Sequence, residues 1–263
     1  MNDLSPGTPA ATDLKLARLD GGPEIFYTLQ GEGIRAGRPS VFVRVSLCNL
    51  HCVWCDTDYT WNWEGTRFTH ERDAEPGYQK FRREDQILVL SIPETVSHVI
   101  RFACQHVVLT GGEPLLQQSG LTALMQALRQ QSPEYTFEVE TNGTLCPDAA
   151  FDALVSHYNV SPKLANSGNT QQQRDRAEAM AWFAESPKAW FKFVVAAITD
   201  IDEIETLAAQ YAIPRQRILL MPEGRSTEAL ETHRNLVVRQ CLEHGYSFSD
   251  RLHLKLFGAK RGT

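Results

Sequence analysis

From His106 onward the chain alternates short apolar runs with longer amphipathic ones, and this alternation constrains the fold most. His106-Val-Val-Leu109, Thr136-Phe-Glu-Val-Glu140, Tyr158-Asn-Val160, Trp190-Phe-Lys-Phe-Val-Val195 and Arg217-Ile-Leu-Leu220 have the length and residue types of buried strands. Between them the apolar spacing becomes helical. Leu121, Leu124, Met125 and Leu128 share one face of a helix that starts at Pro114 and stops at Ser132-Pro133. Residues 147–156 and 171–185 are predicted helices. Asp200 and Glu203 form the pattern of a capping box ahead of Ile201, Ile204, Leu207, Ala208 and Tyr211. Ser226 or Thr227 opens a last helix that Gly245 closes, and Arg251-Leu-His-Leu-Lys-Leu256 alternates as a final strand. Strands that alternate with helices imply parallel pairing through right-handed crossovers, hence an α/β fold. With 263 residues, 42% of them hydrophobic, one domain suffices, and no internal repeat or second domain is visible.

In such folds ligands bind at the carboxyl ends of the strands. Polar motifs stand at just those places: Thr110-Gly-Gly-Glu113, Thr141-Asn-Gly143, Ser161-Pro-Lys163 and Met221-Pro-Glu-Gly224. Upstream, Val41-Phe-Val-Arg-Val-Ser-Leu47 reads as another buried strand, and it runs into Cys48-Asn-Leu-His-Cys52-Val-Trp-Cys55-Asp-Thr57. Arg44 inside an apolar strand needs an anion, either a ligand or an internal carboxylate, because an unpaired buried charge is too costly. Ahead of it, Gly31 and Gly33 bracket Glu32 in a turn that lets backbone approach a ligand closely. Residues 58–92, with Trp61, Trp63 and a charged run at 82–85, are predicted to be a surface insertion, a lid or a partner contact. A helix over residues 93–103 follows, with Pro93 in its first turn. Residues 1–22 are rich in Pro, Gly, Thr and Ala, lack the apolar segment of a signal peptide, and are predicted to be a loose tail before a domain spanning 23–263.

The cysteine spacing, C-x3-C-x2-C, offers three thiolates to one soft centre, and three cannot all pair as disulfides. A structural zinc site wants four protein ligands, for which His51 is the candidate. A four-iron cluster normally takes four cysteines, and three leave one iron open to a substrate. Cys104, Cys146 and Cys241 are scattered and read as small buried hydrophobes in a reducing compartment. A net charge of −6 argues against general nucleic-acid affinity, and no apolar run nears the ~20 residues of a membrane span. A cytoplasmic location is expected.

With these motifs assembled, the chain resembles the radical S-adenosylmethionine superfamily and, within it, the 7-carboxy-7-deazaguanine synthases of queuosine biosynthesis. The resemblance rests on Leu29-Gln-Gly-Glu-Gly33, the three cysteines with Trp54 before the third, Asp56-Thr57, Thr110-Gly-Gly-Glu-Pro114, Glu140-Thr-Asn-Gly143 and Ser161-Pro-Lys163, in family order. It implies a partial (β/α) barrel, a homodimer, and conversion of 6-carboxy-5,6,7,8-tetrahydropterin to 7-carboxy-7-deazaguanine with loss of ammonia. The implied cofactors are a [4Fe-4S] cluster, S-adenosylmethionine and Mg²⁺, with flavodoxin or ferredoxin as electron donor.

Carried over by position, the resemblance implies that Cys48, Cys52 and Cys55 hold the cluster and Thr57 the Mg²⁺. Gly112, Glu113, Ser161, Pro162 and Lys163 match the family's S-adenosylmethionine site. Leu220, Met221, Pro222 and Glu223 stand where the family often has Gln-Pro-Met-Asp, a departure from its pattern. Leu29, Gln30, Gly31, Glu32, Arg44, Thr110 and Thr263 match its pterin-binding positions. A glycyl-radical-enzyme activase would share the cysteines and the Gly-Gly-Glu-Pro motif but has no need of Leu29-Gln-Gly-Glu-Gly33 or Arg44. A non-catalytic iron–sulfur or zinc scaffold, contacting a partner through 58–92, is the reading outside enzymes.

Overall fold

The structure, a computed structural model, describes residues 13–263. Its strands are β1 (Leu14–Leu19), β2 (Gly22–Pro23), β3 (Ile25–Leu29), β4 (Pro39–Val45), β5 (Ile87–Leu90) and β6 (His106–Gly111). Then come β7 (Thr136–Thr141), β8 (Val155–Val160), β9 (Ala189–Val195), β10 (Ile218–Pro222) and β11 (Ser247–Phe248). They form one sheet in the order β11-β10-β9-β8-β7-β6-β4-β1-β2, with β3 beside β4 and β5 beside β1. From β4 to β11 every pairing is parallel, whereas β1, β2, β3 and β5 pair antiparallel at one end. The architecture is an open, partial (β/α) barrel.

Alternation along the strands sorts two faces. Val43, Leu109, Val139, Val160, Phe191 and Phe193 point to the helices and join one apolar core. That core is completed by Leu121, Leu124, Met125 and Leu128 of helix Gln118–Gln131, and by Ile201, Ile204 and Leu207 of helix Thr199–Gln210. Residues of the opposite parity, Arg44, Thr110, Glu140, Asn159 and Lys192, line the inner cavity.

The helix starts follow the capping logic where side chains can reach. Ser91 and Glu94 cap helix Ile92–Val99 reciprocally, with Pro93 in its first turn. Ser226 caps Thr227–His244, which ends on Gly245 in the left-handed region. Asp200 does not cap. Its Oδ2 instead accepts from the Ala196 and Ala197 amides and from Asn166, tying the end of β9 to a neighbouring loop. The predicted helix at 147–156 is a single turn, Ala149–Asp152, and 171–185 splits into Gln171–Arg174 and Ala177–Glu185.

Three larger expectations are corrected. The predicted tail, 1–22, lies outside the described residues up to 12, but Leu14–Leu19 is a buried strand paired with β4 and β5. Residues 58–92 are a surface segment only in part. Tyr59, Thr60, Trp61, Asn62 and His70 are buried, the rest of 64–86 is exposed or half-buried, and 87–90 form β5 at the sheet's antiparallel end. Arg251-Leu-His-Leu-Lys-Leu256 is no strand but belongs to helix Leu252–Phe257. The side of β10 away from β9 is already taken by β11, and the Leu252 amide bonds to the Gly31 carbonyl at 2.9 Å.

Candidate active site

The loop after β4 carries the three cysteines, and neighbouring strand ends clamp it. The Gly112 amide donates to the Val45 carbonyl at 3.1 Å and the Glu113 amide to the Leu47 carbonyl at 2.8 Å. A Cβ on Gly112 would overlap the Leu47 carbonyl oxygen, so only glycine allows this approach. Asn142 donates to Asn49 at 2.9 Å, and Asn49 donates to Thr144 at 2.8 Å. Asn169 grips the loop twice, accepting from the His51 amide at 2.9 Å and donating to Cys52 Sγ at 3.4 Å.

Cys48, Cys52 and Cys55 all line one cavity of about 210 Å³ and carry no disulfide. Burial raises all three thiols, and neighbouring thiols add to the effect at Cys48 and Cys55, pushing Cys55 to about 12. Thiolates so unfavourable without a cation suit a soft metal centre. Among the described residues no three His, Cys, Asp or Glu side chains form a cage for a single ion. A four-iron cluster presents its irons at separate corners and needs no such cage. His51, the fourth-ligand candidate for zinc, is instead stacked on Phe68 and set edge-on to Trp61.

Across the cavity, neighbouring strands present a row of polar groups. Arg44 on β4 is in register with Thr110 on β6, and Glu140 on β7 with Asn159 on β8. Thr110 Oγ1 donates to Glu140 at 2.7 Å, and Gln30 Nε2 donates to Glu140 at 3.0 Å and Glu138 at 2.8 Å. Burial, with Glu32 nearby, raises the Glu140 carboxyl above its ordinary range. Arg44 has the internal partner that its place in a strand demanded: Nε donates to Glu24 at 3.1 Å. Its two terminal nitrogens have no hydrogen-bond partner among the described residues, and the residue lines the cavity. Glu32 pairs with Lys192 and, at 3.0 Å, with Arg251. Burial alone would raise its carboxyl, but Lys192, Arg251 and His253 outweigh that and hold it far below the usual range.

Most of the predicted positions meet in this cavity: Cys48, Cys52, Cys55 and Thr57, with Leu29, Gln30, Gly31, Glu32, Arg44, Thr110 and Thr263. Gly112, Ser161, Lys163, Met221, Pro222 and Glu223 line it too. Three positions do not. Glu113 is fully buried, its carboxylate accepting from Thr141 at 2.8 Å and from the Asn142 and Leu115 amides at 2.7 and 3.0 Å. It braces two loops against each other rather than facing a ligand. Leu220 points into the apolar core, and Pro162 is absent from the lining. Gln30 is present, but both its side-chain N–H bonds are spent on Glu138 and Glu140, its backbone N–H donates to the Arg38 carbonyl at 2.8 Å, and its carbonyl accepts from the Gly37 amide at 2.7 Å.

Reading the sequence missed Glu140 as a site residue, and also Asp56, Asn159, Lys192, Arg251 and His253, all of which line the cavity. Lys192 carried the signal that marked Arg44, a cation inside an apolar strand. Arg251 and His253 were hidden by the mistaken strand.

Comparison with known proteins agrees with this geometry. The 4Fe-4S single cluster domain family matches residues 29–176, which hold the cysteine loop and the strand ends from β4 to β8. A 7-carboxy-7-deazaguanine synthase of Pyrobaculum aerophilum is 38% identical over 91% of this chain and 95% of its own length. That of Halobacterium salinarum is 35% identical over 89% of each. The crystal structure of QueE from Escherichia coli superposes with a TM-score of 0.65 at 25% identity, covering 92% of this chain and 95% of that one. A cavity walled by three cysteines and a glycine loop, on a chain that matches these relatives nearly end to end, leads to one conclusion: the chain belongs to the 7-carboxy-7-deazaguanine synthase family of radical S-adenosylmethionine enzymes.

Proposed function

We propose that the chain converts 6-carboxy-5,6,7,8-tetrahydropterin to 7-carboxy-7-deazaguanine with loss of ammonia. The observation that carries this reading is one cavity with two unlike walls, three thiols on one and the row of Arg44, Thr110 and Glu140 on the other. Cys48, Cys52 and Cys55 would hold a [4Fe-4S] cluster, with Gly112, Ser161, Lys163, Met221 and Pro222 around S-adenosylmethionine. When bound, the reduced cluster and S-adenosylmethionine supply a carbon radical able to take hydrogen from the substrate. The chain's own residues bind, orient and exclude water. Arg44 directs its terminal nitrogens at the substrate carboxylate, which matches the guanidinium fork. Glu140, held by Thr110 and Gln30 and raised by burial, can keep or give up a proton beside a ring nitrogen. Glu32 is held by Lys192 and Arg251, which keep it ionised as an acceptor for ring N–H groups.

Thr57 would place a Mg²⁺ ion, a hard cation that keeps few protein ligands, against substrate oxygens. Its Oγ1 lies 3.5 Å from Cys55 Sγ, and the residue lines the cavity. Thr57→Ala should leave cluster assembly intact and change the Mg²⁺ dependence of product formation, and an unchanged response would remove the ion from this residue. A homodimer, a flavodoxin or ferredoxin donor and a cytoplasmic setting belong to the same reading.

The test is anaerobic incubation of the reconstituted protein with reductant, S-adenosylmethionine and the carboxylated tetrahydropterin, followed by mass analysis. A product that has lost ammonia and kept the carboxylate supports the reading. Reductive cofactor cleavage without that product would favour the activase. No cleavage would favour a non-catalytic scaffold.

A further inference from the structure

The sheet is open, and the segment after β11 crosses its mouth. Ser249 Oγ accepts from the Gly33 amide at 2.9 Å, and the Leu252 amide donates to the Gly31 carbonyl at 2.9 Å. Arg251 reaches three motifs at once, pairing with Glu32 and Asp56 and donating to the Gly224 carbonyl at 2.7 Å. The segment then runs from the β10 side to β1. There Arg261 Nη2 donates to Glu24 Oε2 at 2.7 Å and to the Arg18 carbonyl at 2.8 Å. Its guanidinium lies 3.5 Å from the centre of the Tyr59 ring. Glu24 is 1% exposed, and its other oxygen accepts from Arg44 Nε and from the Tyr59 hydroxyl at 3.0 Å.

One buried carboxylate therefore joins two guanidinium groups with different surroundings. Arg44 lines the cavity, while Arg261 lies two residues before Thr263, which also lines it. Gly262 between them has φ +76°, and a Cβ there would lie 2.7 Å from Leu19 Cδ2. The chain is thus seated tightly between Arg261 and the cavity wall. A cation pinned by an inaccessible carboxylate, a backbone carbonyl and an aromatic face has little freedom to swing.

We propose that Arg261 is a positioning residue: by docking on Glu24, Arg18 and Tyr59 it holds Thr263 in the wall of the substrate cavity. The inference rests on the reading of that wall as the pterin site. Without Arg261, Glu24 keeps Arg44 and Tyr59, so its carboxylate is not left bare and the fold has reason to survive.

The experiment uses the full chain with its cluster reconstituted. It compares Arg261→Ala, Arg261→Lys, a protein ending at Gly262, and the Arg261→Ala change in that shortened protein. Arg261→Ala should raise KM for the carboxylated tetrahydropterin tenfold or more while substrate-free cofactor cleavage persists. Arg261→Lys should recover part of the loss, because an ammonium can still pair with Glu24. Removing Thr263 should raise KM comparably, and Arg261→Ala should then add nothing, since two changes acting through one contact are not additive. Hydrogen exchange of residues 258–263 should quicken in Arg261→Ala. An unchanged KM, or independent additive effects, would overturn the proposal. If the parent forms no deazaguanine product while exchange still quickens, the substrate reading falls and the anchoring role of Arg261 stands.

Discussion

The two faces of the sheet both bury most of their side chains yet are built on opposite rules. On β7, Phe137 and Val139 face the helices and are fully buried, while Glu138 on the opposite face is also fully buried. On β9, Phe191 and Phe193 are fully buried, and Lys192 between them is 6% exposed. Burial by itself therefore does not separate core from site. Partnering does. The apolar face gains from every contact it makes, whereas the polar face gains little net stability from its ion pairs and spends them on placement. Arg44, Glu32 and Lys192 each hold a protein counter-ion and still line the cavity.

The sharpest break of this contrast is at the cysteines. Cys48→Ala, Cys52→Ala or Cys55→Ala should abolish both iron–sulfur absorbance and product, with the far-ultraviolet circular dichroism unchanged. Cys104→Ala, Cys146→Ala and Cys241→Ala should keep both. Iron content at the parent level in any of the first three variants would refute the assignment.

Next comes a matched pair across the sheet. Phe191→Ala, on the apolar face, should cost about 3–5 kcal/mol in urea unfolding. Thr110→Val, on the polar face, removes one hydrogen bond to Glu140 and should cost about 0.5–1.5 kcal/mol. It should nonetheless lower product formation well beyond the Phe191 variant measured under conditions where both are folded. Equal losses of stability would erase the distinction between the faces.

Arg44→Lys should reduce product formation by roughly tenfold, about 1.4 kcal/mol of binding. The charge is kept, but the fork toward the substrate is lost along with the Nε bond to Glu24. A titration with the carboxylated pterin and its decarboxylated analogue decides this. A variant that retains the parent's preference for the carboxylate would make Arg44 an internal ion-pair residue only.

The smallest expected effect on product formation lies deeper on the polar face, at His157. Burial lowers its pKa to about 4, partly offset by Glu138, with Arg35 and His106 also facing it. An unfolded histidine takes up a proton near pH 6.5 that the folded one refuses until about pH 4. Its contribution to stability is therefore complete above about pH 6.5 and is lost as pH falls through that window. His157→Gln should flatten the pH dependence of unfolding between those values, and an unchanged slope would assign acid sensitivity to another group.

The parallel strands were legible because each is an apolar run ended by a polar loop, and the cavity was legible because those loops share one end of the sheet. Arg44 could be singled out because charge inside an apolar strand needs a reason. Phe137-Glu-Val-Glu140 and Trp190-Phe-Lys-Phe193 carried the same signal and received less weight, which is how Glu140 and Lys192 were missed. The alternation of Leu14 and Leu16 around Lys15 also announced β1, but the surrounding composition pointed to a tail. Residues 251–257 are a different case. Their period of two favours a strand locally, yet tertiary bonds to Gly31, Glu32 and Gly224 decide the outcome, and those partners lie up to some 220 positions away in the chain. Glu113 joins the motif to the packing of its neighbours. The position is where the resemblance puts it, but its carboxylate is already satisfied by neighbouring loops.

The route of the final segment has a consequence for biosynthesis of the protein itself. Residues 249–263 bridge the mouth between β10 and β1, two regions made far apart in time, β1 well before β10. Until they emerge from the ribosome, Glu24 has Arg44 but not Arg261, Glu32 has Lys192 but not Arg251, Asp56 lacks the Arg251 pair, and the cavity is unwalled on that side. A nascent chain can thus have every strand and still no finished pocket. Copies that stop before residue 249 would keep the apolar core yet lack the segment that closes the cavity between β10 and β1.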